Sequence, residues 1–193
     1  MAVFEISALI EHPNLTAISI TFSFNTGKTP GNPKSIIEAW EFCSIPNFVG
    51  AFEKILDSVD ATTESTNNAL FGNEPSANAI VAIVEEKIVG AAIYFFNYST
   101  FVGKRGLYLE DIYITPEYRG NGIGTKMMIE LAKVASINNC GRMEWSVLDW
   151  NAKAIEFYNN LGANILKDWK LVRMNETSIK KLVQSGNWSI IEL

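Results

Sequence analysis

Two stretches of the chain carry residues that could act on one ligand. The first is Tyr118 to Gly124, Tyr-Arg-Gly-Asn-Gly-Ile-Gly, with three glycines on alternate positions behind Arg119. A glycine-rich turn that opens a helix is an anion site, because the backbone can approach closely and the first amides of the helix have no internal partner. The turn does not fit the phosphate-loop pattern, which would need glycine where Thr125 stands. Nor does it fit the dinucleotide fingerprint, which would need glycine or alanine where Met127 stands. Two readings are open: a pyrophosphate cradle of another type, or a plain glycine-rich turn. The second stretch is Glu110-Asp111, adjacent carboxylates inside the otherwise apolar Leu107–Ile114. Strand alternation sends neighbours to opposite faces. Either both carboxylates are solvated on an edge strand, or the strand is bulged where a proton acceptor is needed.

Composition narrows the chemistry. The chain has 193 residues, 48% of them apolar, which suits one folded domain with a real core. Its formal net charge of -5 and the absence of a basic block give little support to a nucleic-acid partner, and none is expected. Two cysteines without paired spacing and the single His12 leave neither a zinc site nor a histidine-activated nucleophile, so no metal is expected. No basic stretch leads an apolar core at the N-terminus, and the longest uncharged run, Ile88 to Gly103, is too short to span a bilayer. The expectation is a cytoplasmic protein with no membrane association.

The elements that must position these residues begin late. Residues 1–31 have short β-rich pieces with no clean period and are set apart as an N-terminal segment packed on or preceding the domain; residues 32–193 form the domain. Helices are expected from Pro33, with Asn32 as N-cap, through Phe42 and over Asn47–Leu56, and a turn or two of helix ends at Gly72. "AIVAIV" and "KIVGAAIYFF" flank Glu85-Glu86-Lys87 as a hairpin. "LYLEDIYI" is a strand closed by Pro116. After the glycine turn, Met127, Met128, Leu131, Val134 and Ala135 recur at helical spacing, and Gly141 ends that helix. "RMEWSVLD" reads as a strand and "NAKAIEFYNNLG" as a helix closed by Gly162. "ANIL" and "WKLVRM" read as final strands, and "NETSIKKLVQSG" as a terminal helix. This order describes an α/β domain on a mixed central sheet flanked by helices.

"LYLEDIYITPEYRGNGIG", then "VLDWNAKAIEFYNNLGA" and "DWKLVRM", resemble the GNAT superfamily of acetyl-CoA-dependent N-acetyltransferases, and within it the diamine (spermidine/spermine) N-acetyltransferases. The resemblance is strong from about Ala69 to Met174 and does not cover residues 1–45. It implies a single-domain GNAT-like fold with a splayed strand pair at the coenzyme site, and acetyl-CoA as cosubstrate. Backbone groups of Ile112, Tyr113 and Ile114 would align the acetyl-pantetheine arm. Arg119 and the amides of Gly120, Asn121, Gly122, Ile123, Gly124 and Thr125 would hold the pyrophosphate. Asn151 and Ala154 would contact the coenzyme further along, and Tyr158 would protonate the leaving sulfur. Glu110, Asp111 and Glu53 would face the ammonium groups of the substrate, beside Glu144, Trp145 and Ser146. A homodimer is implied as well.

The chemistry suits these roles. A primary ammonium with a pKa near ~10.4 must lose a proton before it can attack, and Glu110 can accept it directly or through a water. The expected activity is acetyl transfer to a small di- or polyamine by direct attack in a ternary complex. The alternatives are the same chemistry on an amino-acid-type or protein amine, and a CoA-binding regulatory protein without turnover.

Overall fold

A computed structural model describes the backbone of residues 10–12 and 15–23 and the full residues 59–85 and 87–186. Glu53 and the two helices expected before residue 57 lie outside the described residues. The chain divides after Leu148 into two compact units.

The first unit is built on a mixed six-stranded sheet in sequence order. Its strands are β1 (Ile10–His12), β2 (Leu15–Ser23), β3 (Asn78–Val84), β4 (Lys87–Ser99), β5 (Lys104–Ile114) and β6 (Arg142–Glu144). Neighbours from β1 to β5 run antiparallel, and β6 runs parallel to β5. The β-rich pieces near the N-terminus thus enter the same sheet, with Ile18 opposite Val84 and Ser23 opposite Ala79. The β3–β4 hairpin forms as expected, with Glu85 in the left-handed region at its turn.

Helix α1 (Thr63–Phe71) starts on a capping box: Thr62 Oγ1 accepts from the Ser65 amide at 3.0 Å, and Ser65 Oγ accepts from the Thr62 amide at 2.8 Å. Its Leu70 packs with Ala79 and Ala91, flanked by Phe71, Val81 and Ile93. Helix α2 (Ile123–Ile137) buries Ile123, Met127, Met128, Leu131, Val134 and Ala135, the apolar face that the sequence spacing predicts. Tyr94, Leu107 and Leu109 of the sheet are also buried.

Two expected boundaries move. Helix α2 ends at Asn138, whose side chain donates to the Val134 carbonyl at 2.8 Å, and Asn139 takes the positive φ (58°). Gly141 has another reason to be glycine: a Cβ there would lie 2.5 Å from Val102 Cγ1, while its amide donates to the Arg105 carbonyl. Strand β6 is also shorter than its alternation suggests and stops at Glu144.

The second unit contains α3 (Ala152–Asn160), with Gly162 at φ 88° just past its end, and α4 (Glu176–Ser185), capped by Asn175. The strands expected at "ANIL" and "WKLVRM" do not form: the described residues 163–174 pair in no ladder. β-propensity marks a segment that fits a pleated surface, but a strand also needs a neighbour. Leu171 and Val172 are both exposed, so alternation does not divide this segment into two faces. Among the described residues, no helix is long and apolar enough to cross a membrane.

Tyr94 supplies a test of this core. It is 2% exposed, and burial pushes its phenol up to about 12. Its contribution to stability is complete below the ordinary tyrosine value of ~10. It is lost as pH rises toward 12, because the unfolded chain gives up the proton first. Relative to Tyr94→Phe, the wild-type protein should lose about 2 kcal/mol between pH ~9 and ~11.5 in urea unfolding. A difference that does not change with pH would contradict this placement.

Candidate active site

The ladder between β4 and β5 is interrupted where the adjacent carboxylates lie. Tyr94 pairs with Leu109 and Ile93 with Asp111, so Glu110 is one residue in excess on β5. The bulge resolves the conflict posed by two neighbouring carboxylates in an apolar strand. Leu109 stays in the core, Asp111 is half-buried and Glu110 is exposed.

The other side of β5 opens just before the same point. Strand β6 covers β5 only from Gly106 to Tyr108, and no described strand pairs with that edge from Leu109 to Ile114. The direction of the backbone groups follows from the register. The Thr115 amide donates to the Val89 carbonyl at 2.9 Å, and antiparallel pairs alternate between bonded and non-bonded. Tyr113 therefore turns its N–H and C=O toward Ala91, whereas Ile112 and Ile114 turn theirs to the edge that β6 leaves uncovered. The Ile114 carbonyl accepts from Arg119 Nε at 2.8 Å.

The end of β5 runs into the glycine turn through a 3-10 turn, Pro116–Tyr118. Thr115 fixes its start by donating Oγ1 to the Val89 carbonyl at 2.9 Å. Arg119 folds back over the Tyr113 ring, 5.5 Å from its centroid, and the Asn121 side chain donates to the carbonyls of Tyr118 and Arg119. Gly120 and Gly122 have φ of 80° and 74°, which side chains rarely adopt, and a Cβ at either would meet no protein atom within 4 Å. Helix α2 makes its first internal bond from Lys126 to the Gly122 carbonyl, so the amides of Ile123, Gly124 and Thr125 precede the helical ladder. With the positive end of a 15-residue helix behind them, they fit a phosphate group.

Glu144 ends β6 opposite Tyr108. Its Oε2 accepts from Arg142 Nη2 at 2.8 Å and from Asn97 Nδ2 at 3.2 Å, so its charge is compensated inside the sheet. Trp145 is half-buried beside it, and Ser146 Oγ lies 3.1 Å from the Tyr108 hydroxyl. In the second unit, Asn151 caps α3 by accepting the Ala154 amide at 3.2 Å. Tyr158 stands one turn beyond Ala154. It is buried, its ring is tilted against Phe157, and burial pushes its phenol above the ordinary tyrosine value.

Comparison with known proteins decides what this arrangement belongs to. The model of the acetyltransferase (GNAT) family matches residues 45–163. The chain belongs to the GNAT acetyltransferase family. It is 37% identical over 142 residues to the thialysine N-epsilon-acetyltransferase of Bos taurus, covering 68% of this chain and 83% of that protein. It is 33% identical over 141 residues to the human spermidine/spermine N(1)-acetyltransferase-like protein 1, covering 68% of this chain and 20% of that protein. Among solved structures, an integron cassette protein of V. cholerae superposes with a TM-score of 0.66 at 22% identity, over 87% of this chain and 98% of the other, which establishes the fold.

Within this family fold, one strand, one turn and the start of one helix carry Glu110, Asp111, Ile112, Ile114 and the run from Arg119 to Thr125 in sequence. Glu144 to Ser146 lie beside them in the same unit. Asn151, Ala154 and Tyr158 lie together on the second unit. Asn97, Arg142 and Tyr108 escape a reading of the sequence, because their roles come from register across three strands. Gly106 is the one local signal: a glycine inside a strand marks a close approach, and a Cβ there would lie 2.3 Å from Asn97 Oδ1.

The glycine turn yields the second prediction. Gly122→Val forces a branched side chain into the left-handed region and fills space that the protein leaves open. CoA affinity by calorimetry should fall tenfold or more, while circular dichroism shows a folded protein. Unchanged affinity would contradict the cradle.

Proposed function

We propose that the protein transfers the acetyl group of acetyl-CoA to a primary amine of a small di- or polyamine, by direct attack in a ternary complex. The observation that carries this reading is the excess residue Glu110, set at the start of the β5 edge that β6 leaves uncovered.

Acetyl-CoA, when bound, supplies an acyl group activated as a thioester. The chain's own groups do the rest. The Ile112 and Ile114 backbone faces the uncovered edge and suits an extended amide-bearing arm laid along it, with the Ile112 amide available to polarise a carbonyl. The turn amides and Arg119 suit the pyrophosphate, and Asn151 and Ala154 the more distant part of the coenzyme. Glu110 takes the proton that the ammonium must lose before its nitrogen attacks. As the new C–N bond forms and the C–S bond breaks, Tyr158 gives its proton to the sulfur. An ordinary phenol is already protonated at neutral pH, as a donor requires, and burial pushes this one further up. Arg142 already compensates Glu144, so Glu110 and Glu53, the carboxylates that the resemblance implies, are assigned to the two amine groups of the substrate.

A second acceptor class has its own support. The relative in Arabidopsis thaliana that is 38% identical over 95 residues, covering 49% of this chain and 42% of that protein, is named an L-ornithine N5-acetyltransferase. With the thialysine enzyme, it points to an amino-acid side-chain amine.

Two measurements test the reading. Thiol release from acetyl-CoA should favour 1,3-diaminopropane and putrescine over propylamine by roughly ten- to a hundredfold in kcat/KM, the worth of one charged hydrogen bond to the second ammonium. Equal values would remove the di- or polyamine reading, and a preference for ornithine or a lysine analogue would select the amino-acid class. No release with any amine would favour a binding protein. Separately, Tyr158→Phe keeps the ring and removes the proton. Turnover should fall by ~10²-fold or more with little change in acetyl-CoA affinity. Near-wild-type turnover would make Tyr158 a packing residue.

A further inference from the structure

Two strands bring four polar side chains together just before β5 and β6 part. Asn97, Gly106 and Arg142 form one row across β4, β5 and β6, and Phe95, Tyr108 and Glu144 form the next, where the β5–β6 ladder ends. Gly106 leaves the middle of its row bare: a Cβ there would lie 2.3 Å from Asn97 Oδ1 and 3.4 Å from Arg142 Cγ. Across that gap Arg142 holds two partners. Its Nη1 donates to Ser99 Oγ at 2.9 Å, on a residue only 2% exposed, and its Nη2 lies 2.8 Å from Glu144 Oε2. Asn97 Nδ2 donates to the same carboxylate oxygen at 3.2 Å. Glu144 stands one strand across and two residues back from Glu110, on the order of 8 Å between Cα atoms.

We propose that Arg142 is a specificity-determining residue: by cancelling the charge of Glu144 where β5 and β6 part, it denies an anchor to a third ammonium and selects diamines over triamines. This inference rests on the acetyl-transfer reading above. A bare carboxylate so close to Glu110 would attract any further cation on the acceptor, because a separation on the order of 8 Å is still within the screening length at physiological salt. Paired with a guanidinium that Ser99 fixes from its other side, it offers the acceptor no net charge. Arginine suits this task, because its planar fork can serve a hydroxyl and a carboxylate at once, where a lysine would present a single point charge. The side chains of Arg142 and Glu144 are 33% and 34% exposed, so the pair adds little to stability. What it changes is the field over the sheet where the acceptor must lie.

The test is a charge ladder at this pair, read as the ratio of kcat/KM for spermidine to that for 1,3-diaminopropane. In the wild type the third ammonium should bring no gain. Arg142→Gln uncovers the Glu144 charge and should raise the ratio about three- to tenfold, whereas Glu144→Gln leaves the Arg142 charge alone and should lower it by a similar factor. The double variant removes both charges and should return the ratio to the wild-type value. Added salt should shrink both single-variant shifts. Glu144→Gln and the double variant carry the test if Arg142→Gln does not fold. A wild type that already favours spermidine, shifts of the same sign in both single variants, or a double variant that keeps either shift would overturn the proposal. Amine-dependent thiol release with a ratio that ignores these charges would overturn this inference alone. No release with any amine would overturn the acetyl-transfer reading and the inference with it.

Discussion

The ladder between β4 and β5 must absorb one more residue on β5 than on β4, and Glu110 is that residue. Without the interruption, strict alternation would place Asp111 on the Leu109 face, among side chains that exclude water. With it, Leu109 remains at 1% exposure while a carboxylate reaches solvent from the middle of the sheet. A bulge also bends and twists its strand. Strand β5 keeps its bonds to β4 beyond the bulge but has already left β6 behind at Tyr108. One irregularity thus coincides with an exposed carboxylate, a parted pair of strands and an uncovered backbone edge.

The far end of the same strand delivers the second half of the site. From Ile112 the chain needs only the short turn at Pro116–Tyr118 to reach Gly120, Gly122 and the start of α2. Thr115 and Arg119 both bond to backbone carbonyls of the sheet, at Val89 and Ile114. The glycine turn is therefore anchored to the strand that carries Glu110. A ligand with a phosphate at one end and a reactive acyl group at the other could be read along β5 in one direction, anion first and proton acceptor last.

Much of this was legible in the sequence, where the signal is local. The glycine turn, the apolar face of α2, the β3–β4 hairpin and helix α3 depend on neighbours within a few residues, and motif and spacing report them. The bulge at Glu110 was legible as one of two alternatives, because adjacent carboxylates in an apolar strand leave few solutions. What could not be read was pairing. The length of β6 depends on its pairing with β5, which ends at Tyr108, the purpose of Gly141 on the proximity of Val102, and the compensation of Glu144 on Arg142 and Asn97 through register. "WKLVRM" has the composition of a strand but no ladder among the described residues, since composition cannot supply a neighbour.

The central claim is that the Glu110 carboxylate takes the proton of the attacking amine, and a pH-resolved comparison of wild type with Glu110→Gln tests it most directly. At pH ~7 an alkyl ammonium with a pKa near ~10.4 is almost wholly protonated, so removing the acceptor should lower kcat/KM for 1,3-diaminopropane by ~10²–10⁴-fold without changing acetyl-CoA affinity. The gap should narrow as pH approaches ~10, where the free amine is abundant and needs no acceptor. A Glu110→Gln enzyme that keeps wild-type kcat/KM at neutral pH, or whose deficit is the same at every pH, would contradict the account.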